Sequence, residues 1–469
     1  MTGDPSKIWD VCVIGGGPAG TVCARRLAEL GHQVTLVERQ PFPRPHVGEA
    51  LSPGVLPLLD AIGLRHVLAD GSVASPGTLV RWETTTARLI RPQPGHNAIT
   101  VDRGHFDLAL LDAARAAGVR IIQPARARRP RRGPDCWEIP LTPHNRTVRA
   151  RFVADASGRA RALGGKTTAT GARTLALHAT WHGRTYDGGL TRITAGSDSW
   201  GWSAPLPDGT LRAMTFIDPD LLEGRAALEP LYRRLVSTTH LLDGYTEAAI
   251  TPGSVTVCDA TSYVDHASAT QDTIKLGESA CTLDPLSSSG VDKALQNAMT
   301  AAVTVNTLLA DDGDHAAALA FYRDSQHNAV SQHATWAAGY YAEHQSYRDY
   351  SFWRRRAAAA PPSHSATPTP RPLTVDLLTR PLRLSPHASL VLTPCPVDDR
   401  VQMRRALVHP ALPSPVAYVG GVELAPLLDC VAHVGSLTDL LHEWSRRLSA
   451  ERAVIVARWL YGQAVLENG

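Results

Sequence analysis

Six consecutive residues constrain this chain more than any others: Gly15-Gly16-Gly17-Pro18-Ala19-Gly20. They follow the short apolar run IWDVCVI (8–14) and lead into TVCARRLAELG, whose apolar residues recur at helical spacing; QVTLVE then reads as a second strand. In a strand–turn–helix–strand unit of this kind Gly15 permits the tight turn and Gly17 admits a pyrophosphate against the backbone. Gly20 lets helix and strand approach closely. The helix N-terminus turns its free amides and its dipole toward the phosphates. Glu38 closes the second strand, where an acid takes a ribose hydroxyl pair. The spacing predicts nucleotide binding. A second glycine-rich stretch, ALGGKTT (162–168), mimics a phosphate loop but has Ala160 where its first glycine belongs.

Charge and composition narrow the class. A formal net charge of +3 over 469 residues leaves no electrostatic footprint for nucleic acid. Lysine occurs only at positions 7, 166, 275 and 293, so arginine carries nearly all the positive charge. The densest basic run, Arg126, Arg128, Arg129, Arg131 and Arg132, reads as a solvated loop or hairpin tip, with docking of an acidic partner as the alternative. Seven cysteines, none in CxxC spacing, point to neither a zinc site nor a disulfide framework. No apolar run approaches the roughly 18 residues of a membrane span. The chain enters its first strand without a leader pattern, and a cytoplasmic enzyme is the expectation.

Two further segments separate the possible nucleotides. RFVADASGRAR (151–161) is a strand ending in Asp155-Ala156-Ser157-Gly158. TIKLGESACTLDPLSSSGVDKALQNAMTAA (273–302) gives a strand, a small-residue turn with Gly277 and Glu278, the pair Asp284-Pro285, a serine loop with Ser288 and Ser289, and a helix from Gly290. A helix starting there aims free amides at the electron-rich edge of a flavin, and Glu278 can hold a ribityl hydroxyl. A capped helix without a ligand is the plainer alternative. These segments, in this order, resemble the FAD-dependent monooxygenases of the para-hydroxybenzoate hydroxylase fold. Glu278 departs from the aspartate usual there. VDRGHFDLALLDAARAAG (101–118) resembles another helix of that family, which implies that Arg103 touches the flavin or its phosphates. The resemblance spans about residues 8–356. It implies an α/β fold: a Rossmann-like FAD-binding domain (about 8–70, 100–165 and 272–310) interleaved with a β-sheet substrate domain (about 75–100 and 170–270). A helical segment follows at 315–356.

Finer features resemble one branch. Arg44-Pro45-His46-Val47-Gly48-Glu49, the DPLSSSG loop and Trp200-x-Trp202-x-x-Pro205 look like flavin-dependent halogenases. That likeness implies cofactor contacts from Arg39, Arg44, Glu49, Gly158 and Pro285, and a wall of Trp200, Trp202 and Pro205 between flavin and substrate. An aromatic pair in a sheet core is the other reading of the two indoles, which share one face of a strand. Halogenases also use a lysine placed shortly before the strand expected at 78–84, yet no lysine lies between Lys7 and Lys166. Arginine stays protonated and cannot replace it. Ser287 stands where tryptophan halogenases have a glutamate.

The chain is therefore also similar to flavoprotein monooxygenases that hydroxylate a tryptophan side chain within a polypeptide, as in tryptophylquinone maturation. What this resemblance implies is attack of an electron-rich ring on a flavin C4a-hydroperoxide. FAD is the cofactor, reduced by NAD(P)H directly or by a separate flavin reductase, since no second dinucleotide motif exists. Candidate bases are His178 and His182, on LALHATWHG, and Asp284; a strand histidine can equally be a structural hydrogen-bonder. In the helical stretch 321–356, Trp336, Tyr340, Tyr341, Trp353 and the histidines are candidates for a substrate groove or for core. Alternatives are hydroxylation or halogenation of a free or carrier-bound aromatic, a flavin-dependent alkene reductase, or a binding protein with structural FAD.

AAAAPPSHSATPTPRP (357–372) reads as a linker. Beyond it, 373–469 carries helices over 422–435, after Ser436 and from Ser449 to near Gly462, then an apolar strand-like end. The pattern resembles small winged-helix modules that dock peptides, although a helical cap or a dimerising element reads equally from it.

Overall fold

A computed structural model of the chain describes residues 7–84, 86–93, 97–143, 145–185, 188–358, 381–431 and 436–468. It divides into two compact units, one of residues 1–309 and 322–360, the other of 310–321 and 361–469. Most of the segment read as a linker, from 359 onward, lies outside the described residues. No described helix is long and apolar enough to cross a membrane.

The first unit is α/β, with two eight-stranded sheets. Ile8–Ile14 is the central strand of the first sheet, parallel to Val34–Val37 on one side and to Arg146–Asp155 on the other. Val11, Cys12, Val13 and Ile14 are all buried, which is why the run is continuously apolar instead of alternating. The helix Pro18–Glu29 crosses from this strand to Val34–Val37, with Pro18 inside its first turn and Gly17 at its N-cap. The strand Thr273–Lys275 adds beside Arg146–Asp155. Three carboxyl ends, at Ile14, Asp155 and Lys275, thus open on one edge, the place where open parallel sheets bind ligands.

The second sheet runs in the order Tyr245–Ala249, Leu175–Thr185, Leu211–Ile217, Ser199–Pro205, Thr191–Ala195, Thr78–Arg81, Arg88–Ile90, with Thr256–Asp259 also paired to Leu175–Thr185. Trp200 lies opposite Phe216, and Trp202 opposite Met214. Residues two apart share a face, so both indoles, Met214 and Phe216 look the same way. That face packs with Trp82, Ala337, Tyr341, Phe352 and Trp353 into one aromatic cluster. The opposite face, with Leu177, Ala179 and Trp181, is closed by the helix Leu228–Thr238.

The second unit has its own core around Trp444, Val456 and Leu460. Ser436 caps the helix Leu437–Ser445 and Ser449 caps Ala450–Gly462, each accepting a hydrogen bond from an amide three residues on. The end strand Leu466–Asn468 pairs with Leu382–Leu384. The helix expected over 422–435 is shorter. Gly420 and Gly421, both at positive φ, turn a small hairpin through Val422–Glu423, and the helix spans only Ala425–Leu428; residues 432–435 lie outside the description. A hairpin of two nine-residue strands, Ser389–Val397 with Arg400–Val408, was not anticipated. Its turn residues Asp398 and Asp399 are both left-handed, and the prolines 394 and 396 masked the strand in the sequence.

Candidate active site

The carboxyl edge of the first sheet and the indole face of the second line one cavity of about 1200 Å³. That exceeds the roughly 300–1,000 Å³ typical of sites for drug-sized ligands. At its nucleotide end Gly15 is left-handed (φ +112°), and a Cβ there would sit 2.2 Å from the Ala156 carbonyl oxygen. Gly20 is equally committed, since a Cβ would lie 2.0 Å from the Gly15 oxygen. Gly20 therefore packs the helix and does not line the cavity. Gly17 does line it, with nothing nearer than Arg44 at 4.0 Å. Glu38 is 5% exposed and accepts the Gly16 amide at 2.7 Å and the Gln40 amide at 2.8 Å. Such a cradle fits the adenosine half of FAD.

Another part of the cavity is lined by the start of the helix Gly290–Leu308. Its N-cap, Ser289, makes no side-chain cap. The sequence offers a capping box in Ser289-Gly290-Val291-Asp292, yet both members are diverted. The Ser289 hydroxyl lies 2.6 Å from the Ser287 hydroxyl, and the Asp292 carboxylate accepts from Ser52. The first amides of the helix are thereby left without a side-chain cap beside an open Gly290, which has no atom within 4 Å of a built Cβ. Uncommitted amides at a helix start are what the anionic edge of a reduced isoalloxazine requires. The residues present fit the group.

Asp292 carries a pH signature. Burial pushes its carboxyl up to about 6, and the Ser52 hydrogen bond only partly opposes this. The folded state therefore holds a proton that the unfolded state has released between about pH 4 and 6. Its stabilising contribution is complete below the unfolded pKa and is lost as pH rises through 6. We expect Asp292→Asn to raise stability at about pH 8 by roughly 1–2 kcal/mol after solvent screening, seen as a higher melting temperature, and to leave it unchanged near pH 4. Thermal melts of both proteins across that range check it.

Arg44, Glu49 and Arg103 also line the cavity, as do Arg39, Gly158, Gly277, Glu278, Pro285 and Ser288. Arg103 is largely spent within the protein. It binds both oxygens of the fully buried Asp107, at 3.0 and 3.2 Å, and the carbonyls of Val47 and Gly48. Its role here is to hold the 44–49 loop over the cavity, with Arg44 sharing Asp107 at 3.4 Å. Asp155 does not reach the cavity. Its carboxylate is turned inward onto the amides of Ser157 and Leu163 and the Ser157 hydroxyl.

Trp200 and Trp202 line the cavity and belong to the aromatic core at the same time. Pro205 falls on the other face by strand alternation and is absent from the lining. Among the candidate bases, Asp284 alone borders the cavity. Burial raises its carboxyl above the usual range, against the Leu286 amide, the Tyr341 hydroxyl and Arg356. Tyr341 donates to it at 3.1 Å. His178 instead meets Arg212 at 3.4 Å and Thr256 at 3.0 Å, and burial with the Arg212 charge lowers it to about 4. Arg212 in turn clamps Glu49, at 2.9 Å. His182 sits exposed where its strand pairs with Tyr245–Ala249. The strand Leu175–Thr185 touches the cavity through Ala176 and then leaves it, which spacing alone does not show.

Among the cavity residues that spacing did not single out are three arginines and an asparagine. Arg126, Arg128 and Arg129 line the nucleotide end, although their run reads as a loop tip. The run in fact crosses two sheet-edge strands, Arg126–Ala127 and Arg131–Arg132. Asn297 accepts the Gly277 amide at 2.6 Å and donates to the Tyr322 hydroxyl at 3.0 Å, fixing the turn before Glu278. Of the helical aromatics, Tyr341 and Trp353 are core, whereas Trp336 and Tyr340 are 40% and 42% exposed.

With this geometry established, comparison assigns the class. A model described as tryptophan halogenase matches residues 91–368, and one described as FAD dependent oxidoreductase matches 10–52. The chain belongs to the tryptophan halogenase family and is an FAD-dependent oxidoreductase. It is 30% identical over 374 residues, 74% of this chain and 70% of the relative, to a tryptophan 2-halogenase of Chondromyces crocatus. Among solved structures it is similar to the peptidyl tryptophan dihydroxylase QhpG, essential for tryptophylquinone cofactor biogenesis. That match has TM-score 0.75 and 25% identity over 97% of this chain and 99% of the other. The flavin-dependent halogenase CmlS shares the fold, at TM-score 0.75 and 22% identity over 99% and 96%.

Proposed function

We propose that the chain is an FAD-dependent monooxygenase that hydroxylates an aromatic side chain, in the first place tryptophan within a polypeptide. The observation carrying this reading is the makeup of the cavity wall. Trp200, Trp202 and Phe216, with Met214 beside them, offer an aromatic slot, while no lysine lies between Lys7 and Lys166, where the halide chemistry of the family would need one. The whole-length likeness to a peptidyl tryptophan dihydroxylase supports it.

In this reading Gly15, Gly17, Glu38, Arg44 and the amides at Gly290 hold FAD. Once reduced, bound FAD supplies two electrons and the centre at which dioxygen becomes an electrophilic oxygen donor. Trp200 and Phe216, stacked with centroids 3.9 Å apart, form a rigid water-excluding wall. Asp284, whose carboxyl is raised by burial, borders the slot and is kept in place by the hydroxyl that Tyr341 donates to it. Electrons come from NAD(P)H or a flavin reductase. The C-terminal unit is the proposed platform for the polypeptide, through the hairpin on which Leu392 is 67% exposed.

One observation favours halogenation as the second reading. Lys293, in the first turns of the helix Gly290–Leu308, lines the cavity, and burial lowers its amine. An amine is thus present, but on the helix and not ahead of the strand Thr78–Arg81. The test is mass spectrometry of polypeptides encoded beside its gene, coexpressed with and without the enzyme in chloride medium. Oxygen-sized increments on a tryptophan support the first reading. A chlorine isotope pattern, lost in Lys293→Met, establishes the second, and an unmodified peptide set turns the assignment to small aromatics.

A further inference from the structure

Ring hydroxylation ends with loss of a proton from the carbon that has gained oxygen, and that proton needs an acceptor at the cavity wall. His178 and His182 do not border the cavity, and neither offers one. The polar groups around the serine loop do. Ser289 lines the cavity, its hydroxyl 2.6 Å from that of Ser287, which in turn lies 2.7 Å from Nε2 of His333 on the long helix His315–Ala342. Ser289 occupies an N-cap position yet forgoes the cap, which is worth about 1 kcal/mol. Its hydroxyl is committed to Ser287 instead. His333 is only half-buried, next to the exposed ring of Trp336 at 5.5 Å, so a proton arriving there has access to solvent.

We propose that Ser289, Ser287 and His333 form a proton relay from the cavity to the surface, with His333 as its terminal acceptor. The proposal rests on the hydroxylation reading above. In the step, the ring carbon forms its C–O bond with one atom of dioxygen, reduced FAD (FADH2) provides two electrons and two protons, and the second oxygen leaves as water after taking up one proton from solvent. The displaced ring proton passes to the Ser289 oxygen, the Ser289 proton to Ser287, and the Ser287 proton to Nε2 of His333, which becomes imidazolium and releases its proton to water. Ser287 accepts from Ser289 and donates to His333, so the resting ring carries its proton on Nδ1. Burial, with Lys293 nearby, lowers His333 to about 4 and keeps the ring neutral and able to accept. His333 acts through two hydroxyls and is therefore a positioning and accepting residue, not one that touches the substrate.

Two measurements test this on the FAD-loaded full-length protein. Nitrogen-15 NMR of the histidines, assigned through His333→Gln, should show Nε2 of His333 as an acceptor in the wild type. Both Ser287→Ala and Ser289→Ala should shift that signal. An Nε2–H donor signal, or one indifferent to Ser289→Ala, overturns the relay whatever the enzyme oxidises. The second measurement uses N-acetyltryptophanamide with NADH and a flavin reductase. His333→Ala should lower product at least about tenfold, release the missing oxidising equivalents as peroxide, and recover with added imidazole. Unchanged turnover or failure of imidazole to restore it removes His333 from the route while leaving the hydroxylation reading intact. An unmodified probe in the wild type, beside an acceptor signal, overturns the hydroxylation reading and the ring-proton role with it, while the hydrogen-bond chain itself is upheld.

Discussion

Gly15→Ala is expected to yield a protein without flavin. The new Cβ meets the Ala156 carbonyl oxygen at 2.2 Å and its carbon at 2.7 Å, and neither backbone atom can move as a side chain would. The backbone at φ +112° is strained for any residue with a Cβ, by about 1–3 kcal/mol before the clash is counted. Relief requires separating the ends of Ile8–Ile14 and Arg146–Asp155, which destroys the phosphate cradle. A strain of about 3 kcal/mol alone corresponds to more than a hundredfold in affinity. The flavin absorbance of the purified protein relative to its aromatic absorbance, with a thermal melt, reads the effect. Wild-type flavin content in Gly15→Ala contradicts the assignment of the nucleotide end.

Trp200→Ala is the second large effect. Trp200 is 1% exposed, stacked on Phe216 at an interplanar angle of 16° and set edge-on to Trp82 at 6.0 Å. Truncating a buried tryptophan destabilises by about 3–5 kcal/mol, through lost burial and the cavity left behind. The aromatic pairing adds about 1 kcal/mol, to be read from a double-mutant cycle with Phe216→Ala. Denaturant titration measures both. A loss under about 1 kcal/mol would mean that the indole is not part of a tightly packed wall.

The nucleotide end was legible because its requirements are local. Gly15, Gly17, Gly20 and Glu38 act within one strand–helix–strand unit, so spacing carries the geometry. The end at the helix Gly290–Leu308 was legible in part: Asp284-Pro285, the serine loop and Gly290 all reach the cavity. What spacing does not carry is where a strand leaves a site. His178 shares a face with Ala176, yet only Ala176 borders the cavity, and His178 is bound up with Arg212 and Thr256. Asp155 closes a strand at the right edge but turns its carboxylate onto the following turn. His333 was hidden for the opposite reason. Its partner Ser287 is 46 residues away, and only the tertiary fold brings the serine loop to the helix His315–Ala342. The arginines at 126–129 needed the sheet edge to show which way they point.

The central claim is that this fold oxygenates an aromatic ring with dioxygen. Its most direct test is to supply heavy-isotope dioxygen to the FAD-loaded enzyme with NADH, a flavin reductase and the tryptophan-bearing polypeptide, then to map the label by mass spectrometry. We expect heavy oxygen on the indole ring, none when the gas is withheld, and no halogen on the peptide in chloride medium. Turnover without dioxygen, or a product that carries chlorine in place of labelled oxygen, contradicts the account.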